Sequence, residues 1–472
     1  MIDMLPANVL LEIFDFYRHD LSSKIRVFPR EPWRWDTLIQ VCRRWRHIIF
    51  ESPRRLDLRL GCGPTTPSKR LLDIWPPFPI IIMFLPSPLW ADDKGVENII
   101  AAIERRNRIS EIYILNTRGS TLEKLIAVMH EPLPILTHVF LGSKDESPVP
   151  VLPNTFLGGC APFLRQFVLN GIPFPTLPKF ILSATYIDTL DLFDIPHAGY
   201  ISPEVMATSL AALPNLKHFS LGFRSPLSRP LQSPPPLTRT VLPTLVRLSF
   251  TGVSEYLEDF LSRIHTPLLN RLVVGFFMDL IFDIPRLHDF VHRIRRSQPF
   301  NQASIWFFGH AIRAILGSQN QFVLEIKCER LDWQLSSMTQ VFGQQLPLLS
   351  CVEQLMIHEW PWRCMKWKDD PDMDSSQWME LFRLFISAHS LYVSKRLVPH
   401  VGAALLELNG DEVMGVLPVL VDLYLEGHEP SGSMQEGIKS FVTSRQLSDQ
   451  PVTVQRWDSE ERLTVDYESE DD

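Results

Sequence analysis

The chain has 472 residues, a formal net charge of -8 at pH 7, 45% hydrophobic and 21% charged residues. This composition excludes a disordered polymer, and the length exceeds what one ordinary core organises, so a small module followed by a long repeat array is expected. The charge is uneven: residues 1–70 carry 13 basic and 8 acidic side chains, whereas 458–472 carry 8 acidic and 1 basic, so the excess acid sits mostly in a tail read as solvated and disordered.

The longest apolar stretch, Phe78 to Leu85, is interrupted and flanked by prolines and falls well short of the roughly 18 residues a membrane span needs. The start of the chain carries Asp3, Glu12 and Asp15 where a secretory signal needs a basic start and an apolar run. Six scattered cysteines form no CxxC pair and no Asn-x-Ser/Thr acceptor occurs, so neither zinc nor secretion is indicated. The expectation is a cytoplasmic or nuclear protein with no cofactor, no metal and no membrane or nucleic-acid partner.

In chain order, Pro6 stands at the first turn of a predicted helix, where a missing N–H costs nothing. Val9, Leu10, Ile13, Phe14 and Tyr17 form one broad apolar stripe on it. A connection rich in proline and tryptophan, Phe28 to Trp35, leads to a second predicted helix with Asp36 as its N-cap. That helix carries Leu38, Val41, Cys42, Trp45, Ile48 and Ile49, with Arg43, Arg44 and Arg46 opposite. Two such helices cannot enclose a core unaided and need a partner.

Leu5-Pro6, the run Val9-Leu10-x-x-Ile13-Phe14 and then Val41-Cys42-Arg43-Arg44-Trp45-Arg46 resemble the F-box, the adaptor-docking motif of SCF-type cullin-RING ubiquitin ligases. The resemblance covers roughly residues 3–52. It implies that Leu5, Pro6, Val9, Leu10, Ile13, Phe14, Val41 and Trp45 dock the adaptor, and through it cullin. The pattern departs at Ala7-Asn8, where the family commonly has proline or an acidic residue, and in the lengthened segment Phe28 to Trp35. The alternative, that both helices cap the first repeat and bury their stripe within the chain, stays open.

After a connecting segment, 61–98, holding the first strand, the pattern L-x-x-L-x-L returns across an array assigned to 99–457. It stands at Ile109-Ile112-Ile114, Leu136-Val139-Leu141, Leu164-Phe167-Leu169, Ile187-Leu190-Leu192, Leu216-Phe219-Leu221, Leu245-Leu248-Phe250 and Leu269-Leu272-Val274. It comes back at Val352-Leu355-Ile357 and Leu420-Leu423-Leu425. The first seven units are spaced 27, 28, 23, 29, 29 and 24 residues apart, inside the range of leucine-rich repeats. Helical stripes fall between them, such as Leu122-Leu125-Ile126-Met129, Leu257-Phe260-Leu261-Ile264 and Trp378-Leu381-Phe382-Phe385. The expected fold is therefore α/β: F-box helices, residues 1–60, then an irregular leucine-rich-repeat solenoid with parallel strands on its concave side and helices on its convex side. The block from Leu391 to Gly427 also resembles the C-terminal half of large fungal F-box families.

Strand residues alternate, so one set must face away from the core. Tyr113, Phe140, His218, Arg247, Arg271, Met356 and Tyr424 are the candidate contacts for a protein target; His218, Arg247 and Arg271 suggest a small basic track for an acidic or phosphorylated segment. Four tryptophans, 360, 362, 367 and 378, mark either a binding loop or an insertion packed on the array. No phosphate-cradling, nucleophile-elbow or His-Glu-x-x-His signature occurs, and His358-Glu359 reads as a surface pair. The expected function is a non-catalytic substrate receptor of a ubiquitin ligase; the runner-up is a scaffold in which the F-box only holds the adaptor.

Overall fold

The computed structural model describes residues 5–19, 38, 41–52, 58–63, 68–84, 93–144, 149–226, 238–277, 282–295, 300–317, 321–328, 330–343, 349–359, 375–408, 412–427 and 434–457. They divide into two compact units, 1–201 with 208–216, and 202–207 with 217–469. The acidic tail from 458, Trp360, Trp362 and Trp367, and Asp36 lie outside the described residues.

The first unit begins with two helices, Ala7–His19 and Arg43–Phe50. Six strands follow: β1 (Leu58–Gly61), β2 (Ile80–Phe84), β3 (Ile109–Thr117), β4 (His138–Ser143), β5 (Gln166–Asn170) and β6 (Thr189–Ile195). Each pairs in parallel with the next, in chain order. The L positions point to one side of this ladder: Ile112, Ile114, Val139, Leu141, Phe167, Leu169, Leu190 and Leu192 are all buried. Parallel neighbours need a return path, and here it is supplied by helices such as Gly119–Val128, whose Leu122, Leu125 and Ile126 are buried as the 3.6-residue stripe requires. The ladder thus starts at Leu58, ahead of the expected array boundary. β1 and β2 escape the repeat count because they are short and lack the leading L.

The second unit holds β7 (His218–Phe223), β8 (Thr240–Val241), β9 (Arg247–Gly252), β10 (Ile264–His265), β11 (Arg271–Phe277), β12 (Gln302–Phe308), β13 (Ala311–Leu316), β14 (Phe322–Lys327), β15 (Gln354–Glu359), β16 (Ser390–Val393), β17 (Asp422–Glu426) and β18 (Thr453–Trp457). Its main sheet runs β7-β9-β11-β14-β13-β12-β15-β16-β17-β18, with β8 and β10 paired separately. The expected parallel ladder holds here with one strand as the exception. β13 is antiparallel to both β12 and β14, because only Gly309-His310 separate β12 from β13 and a two-residue connection closes a hairpin, not a crossover. β14 still pairs parallel with β11, and β12 with β15, so the meander is inserted without reversing the ladder.

The stripes predicted for this unit are core. Leu257, Phe260 and Leu261 are buried on the helix Ser254–Arg263, and Trp378, Leu381, Phe382 and Phe385 are buried on or just after the helix Ser375–Arg383. Trp378 packs against Phe307 of β12 with the rings tilted, 5.6 Å between centroids, so this tryptophan packs on the array. In each unit, strands paired side by side alternate with helices in the α/β manner of irregular leucine-rich repeats. No helix among the described residues is long and apolar enough to cross a membrane.

Candidate binding surfaces

The N-terminal pair of helices has a core of its own. Leu10, Phe14, Ile48 and Ile49 form a buried cluster, with Leu5, Leu11, Leu38, Trp45 and Phe50 packed against it. The sequence makes this pair in three steps. Pro6 starts the first helix by accepting the N–H groups of Val9 and Leu10, each at 3.1 Å. Cys42, in an extended conformation, caps the second: its Sγ accepts the Trp45 N–H at 3.4 Å. Trp45 then lies on Phe14 with centroids 4.7 Å apart, and the Arg44 guanidinium donates to the Leu5 carbonyl, tying the Leu-Pro element to the Cys-x-x-Trp element. The cap is Cys42 with the helix starting at Arg43, which corrects the expected longer helix containing Cys42.

This geometry also corrects the docking set. Leu10 and Phe14 are 0% and 6% exposed, so they build the module and are not a surface for a partner; Leu5 and Trp45 are partly buried for the same reason. Val9, Ile13 and Val41 remain 37%, 47% and 56% exposed, and Pro6 is exposed beside them in sequence. Val9 and Ile13, one helical turn apart, share a face. A stripe read as one face from the sequence is two: an inner pair one residue ahead of an outer pair, about 100° around the helix.

On the array, register decides which side chains stand together. In the first unit Met83, Tyr113, Phe140, Val168 and Asp191 occupy one row across β2 to β6. Tyr113 and Phe140 stack with centroids 4.8 Å apart, within the range preferred by offset rings. The Tyr113 hydroxyl donates to Glu111 at 2.9 Å, and His138 stands 3.6 Å from the same carboxylate. The predicted pair Tyr113 and Phe140 is thus a half-exposed aromatic platform edged by Glu111.

In the second unit His218, Arg247 and Arg271 stand in one row across β7, β9 and β11, as the repeat phase required. A further row runs Ser304, Met356, Tyr392, Tyr424 and Gln455. Tyr392 and Tyr424 stack at 4.3 Å with 4° between planes. Met356, expected as a target contact, is 4% exposed because Tyr392 and Trp457 pack over it; Tyr424 is the member left partly accessible. His358 is not the surface residue expected either: it is buried and stacks on Trp306 at 4.2 Å, with Trp457 at 5.7 Å.

Trp306, Tyr392 and Trp457 were not legible as members of this face. β12 and β18 lack the L-x-x-L-x-L frame, and the available signal was period-2 alternation alone, as in Gln302-x-Ser304-x-Trp306-x-Phe308. No group of three or more His, Cys, Asp or Glu suited to a metal exists among the described residues. Burial pushes the Cys62 and Cys328 thiols up to about 12, which removes their nucleophilicity at neutral pH.

No protein-family model matches the chain, and no curated protein matches it. Among solved structures it is similar to the leucine-rich repeat-containing protein LegL7 from Legionella pneumophila, at 11% identity over 84% of this chain and 99% of that one, with a TM-score of 0.30. The repeat assignment rests on the strand order and register described above.

Proposed function

We propose that this chain is a substrate receptor of an SCF-type ubiquitin ligase, its N-terminal helices docking the adaptor and its array holding a protein target. The observation that carries the reading is the division of labour in the module. The Leu-Pro and Cys-x-x-Trp elements close a private core, while Val9, Ile13 and Val41 stay outside it. A module whose stripe served only to cap the first repeat would contribute those residues to the core of the array. The array adds side-by-side strands with aromatic and charged rows, the architecture by which repeat proteins bind extended partners. In this reading the chain supplies proximity: it raises the local concentration of a target lysine near a ubiquitin-charged enzyme, and other subunits do the chemistry.

The test is co-purification of the full chain with the SCF adaptor, beside a Val9→Ser, Ile13→Ser, Val41→Ser variant. Adaptor binding by the wild type and its loss in the variant are expected. A wild type that fails to bind overturns the ligase reading. Ubiquitination of proteins captured by the array, abolished by the same variant, separates a receptor from a scaffold that only holds the adaptor.

A further inference from the structure

We propose that the outward face of β4, β5 and β6 holds an arginine side chain of a protein target in a slot between Phe140 and Asp191, a proposal that specifies the receptor reading and rests on it only in calling the partner a target. Phe140, Val168 and Asp191 are register partners on these adjacent strands. Their neighbours Val139, Leu141, Phe167, Leu169, Leu190 and Leu192 are buried on the core side, so the three side chains of the row stand on the other side. An aromatic ring, a short aliphatic side chain and a carboxylate thus follow one another across the strands, and the short one, Val168, is the floor, 8% exposed.

The aromatic wall is built from behind. Tyr113 of β3 stacks on one face of Phe140, 4.8 Å between centroids and 19° between planes, which turns the other face of Phe140 toward β5. The Tyr113 hydroxyl donates to Glu111 at 2.9 Å, so the backing ring is itself tied down. From Phe140 to Asp191 the Cα atoms span two strand spacings, about 10 Å. A planar cation ~3.5–4 Å from a ring and ~2.7–2.9 Å from a carboxylate oxygen fits inside that span. An ionised carboxylate has about four acceptor positions, so Asp191 can keep a neighbour and still accept from a ligand. Gln166 and Asn170, two residues to either side of Val168 on the same face of β5, offer amides to the backbone of a segment lying there.

Charge sets the sign of the ligand. Strands β2 to β6 carry Glu111, Asp191 and Asp194 and not one lysine or arginine, so this face attracts cations and repels phosphate-bearing partners. An apolar segment would strip water from Asp191 without replacing it. Among cations, guanidinium is the one that lies flat on a ring while its edge pairs with a carboxylate. A lysine ammonium is a compact, strongly hydrated point charge and gains less from the same two walls.

The experiment passes three degenerate peptide libraries over the immobilised full chain at physiological ionic strength, identical except for a fixed central arginine, lysine or citrulline. Citrulline keeps the shape of arginine and removes its charge. Arginine peptides are expected to be retained about ten-fold or more over citrulline peptides, the scale of one charge-assisted contact, with lysine peptides between them. Asp191→Asn should abolish the preference for arginine over citrulline. Phe140→Leu, which changes no charge, should lower arginine retention about three-fold or more through loss of the ring face. The charge-matched control Glu123→Gln, on the helix Gly119–Val128, should leave both unchanged. The comparison of the three libraries on the wild type needs no variant and stands even if a substitution unfolds the unit. Equal retention of citrulline peptides, equal retention of lysine peptides, or full arginine preference in folded Asp191→Asn or Phe140→Leu overturns the proposal. Adaptor co-purification on the same samples separates the two readings: absence of an arginine preference with adaptor bound overturns this proposal alone, and adaptor lost with the preference intact overturns the ligase reading alone.

Discussion

Leu10 and Ile13 lie three residues apart on one helix and should behave as opposites. Leu10 is fully buried between the two N-terminal helices; truncating such a leucine to alanine costs ~2–5 kcal/mol, a large share of what a two-helix module has to lose. Leu10→Ala should therefore open the module, seen as faster amide exchange in Ala7–Phe14 and Arg43–Phe50 with strand β4 unchanged. Ile13→Ser removes a side chain that is already 47% exposed, and its effect on stability should stay within ~0.5 kcal/mol. Its effect on docking is another matter. Fully burying a Val or Ile side chain contributes ~1.5–3 kcal/mol, so the exposed half of each of Val9, Ile13 and Val41 leaves ~1 kcal/mol to gain. Together they offer ~3 kcal/mol, or roughly a hundred-fold in Kd. Titration of the adaptor by calorimetry, paired with hydrogen exchange on the free chain, reads both quantities. Wild-type protection in Leu10→Ala, or wild-type affinity in the triple serine variant, would refute the reasoning.

Three further outcomes follow from the second unit and the buried thiols. Glu258 accepts the N–H groups of Arg286 and Leu287 at 2.7 and 2.8 Å, capping the helix Pro285–Arg295. Burial raises its pKa to about 7, against the lowering effect of those two bonds. A carboxyl raised on folding contributes stability that is full below its unfolded pKa and is lost as pH rises through 7. The difference in thermal midpoint between Glu258→Gln and wild type should accordingly move in favour of the variant between pH 5 and pH 8; a pH-independent difference would contradict the assignment. Trp457→Ala removes the ring packed on Tyr392 and His358 and its bond to the Val393 carbonyl, 3.4 Å. A loss of ~3–5 kcal/mol of local stability should speed amide exchange in β16 and β17 and leave β4 untouched, whereas unchanged exchange in β16 would show that the tryptophan is not needed there. Native thiol labelling followed by mass spectrometry should modify the exposed Cys160 and spare Cys62 and Cys328, which should react only in denaturant; native labelling of either would show that its burial is transient.

Much of the array was legible because its physics is local and repeated. Nine L-x-x-L-x-L matches correspond to β3, β4, β5, β6, β7, β9, β11, β15 and β17, since a parallel strand buried on one face must place an apolar side chain at every second position. What escaped was whatever broke the frame: the two-residue hairpin at Gly309-His310, the short strand β1, and β16 and β18, which lack the full leucine frame.

By itself, the sequence determined the repeat phase and hence which residues share a row: Tyr113 with Phe140, His218 with Arg247 and Arg271, Met356 with Tyr424. Period-2 alternation and a constant offset from the L positions suffice for that. Only the tertiary structure decided which of those residues are accessible. Leu10 and Phe14 turned inward because a second helix, placed by Cys42 and Trp45, covers one strip of the first and leaves the next strip bare. Met356 closed over because Trp457, 101 residues further along the chain, folds back across Tyr392. Burial is a property of neighbours distant in sequence, and no local pattern encodes which of them will arrive.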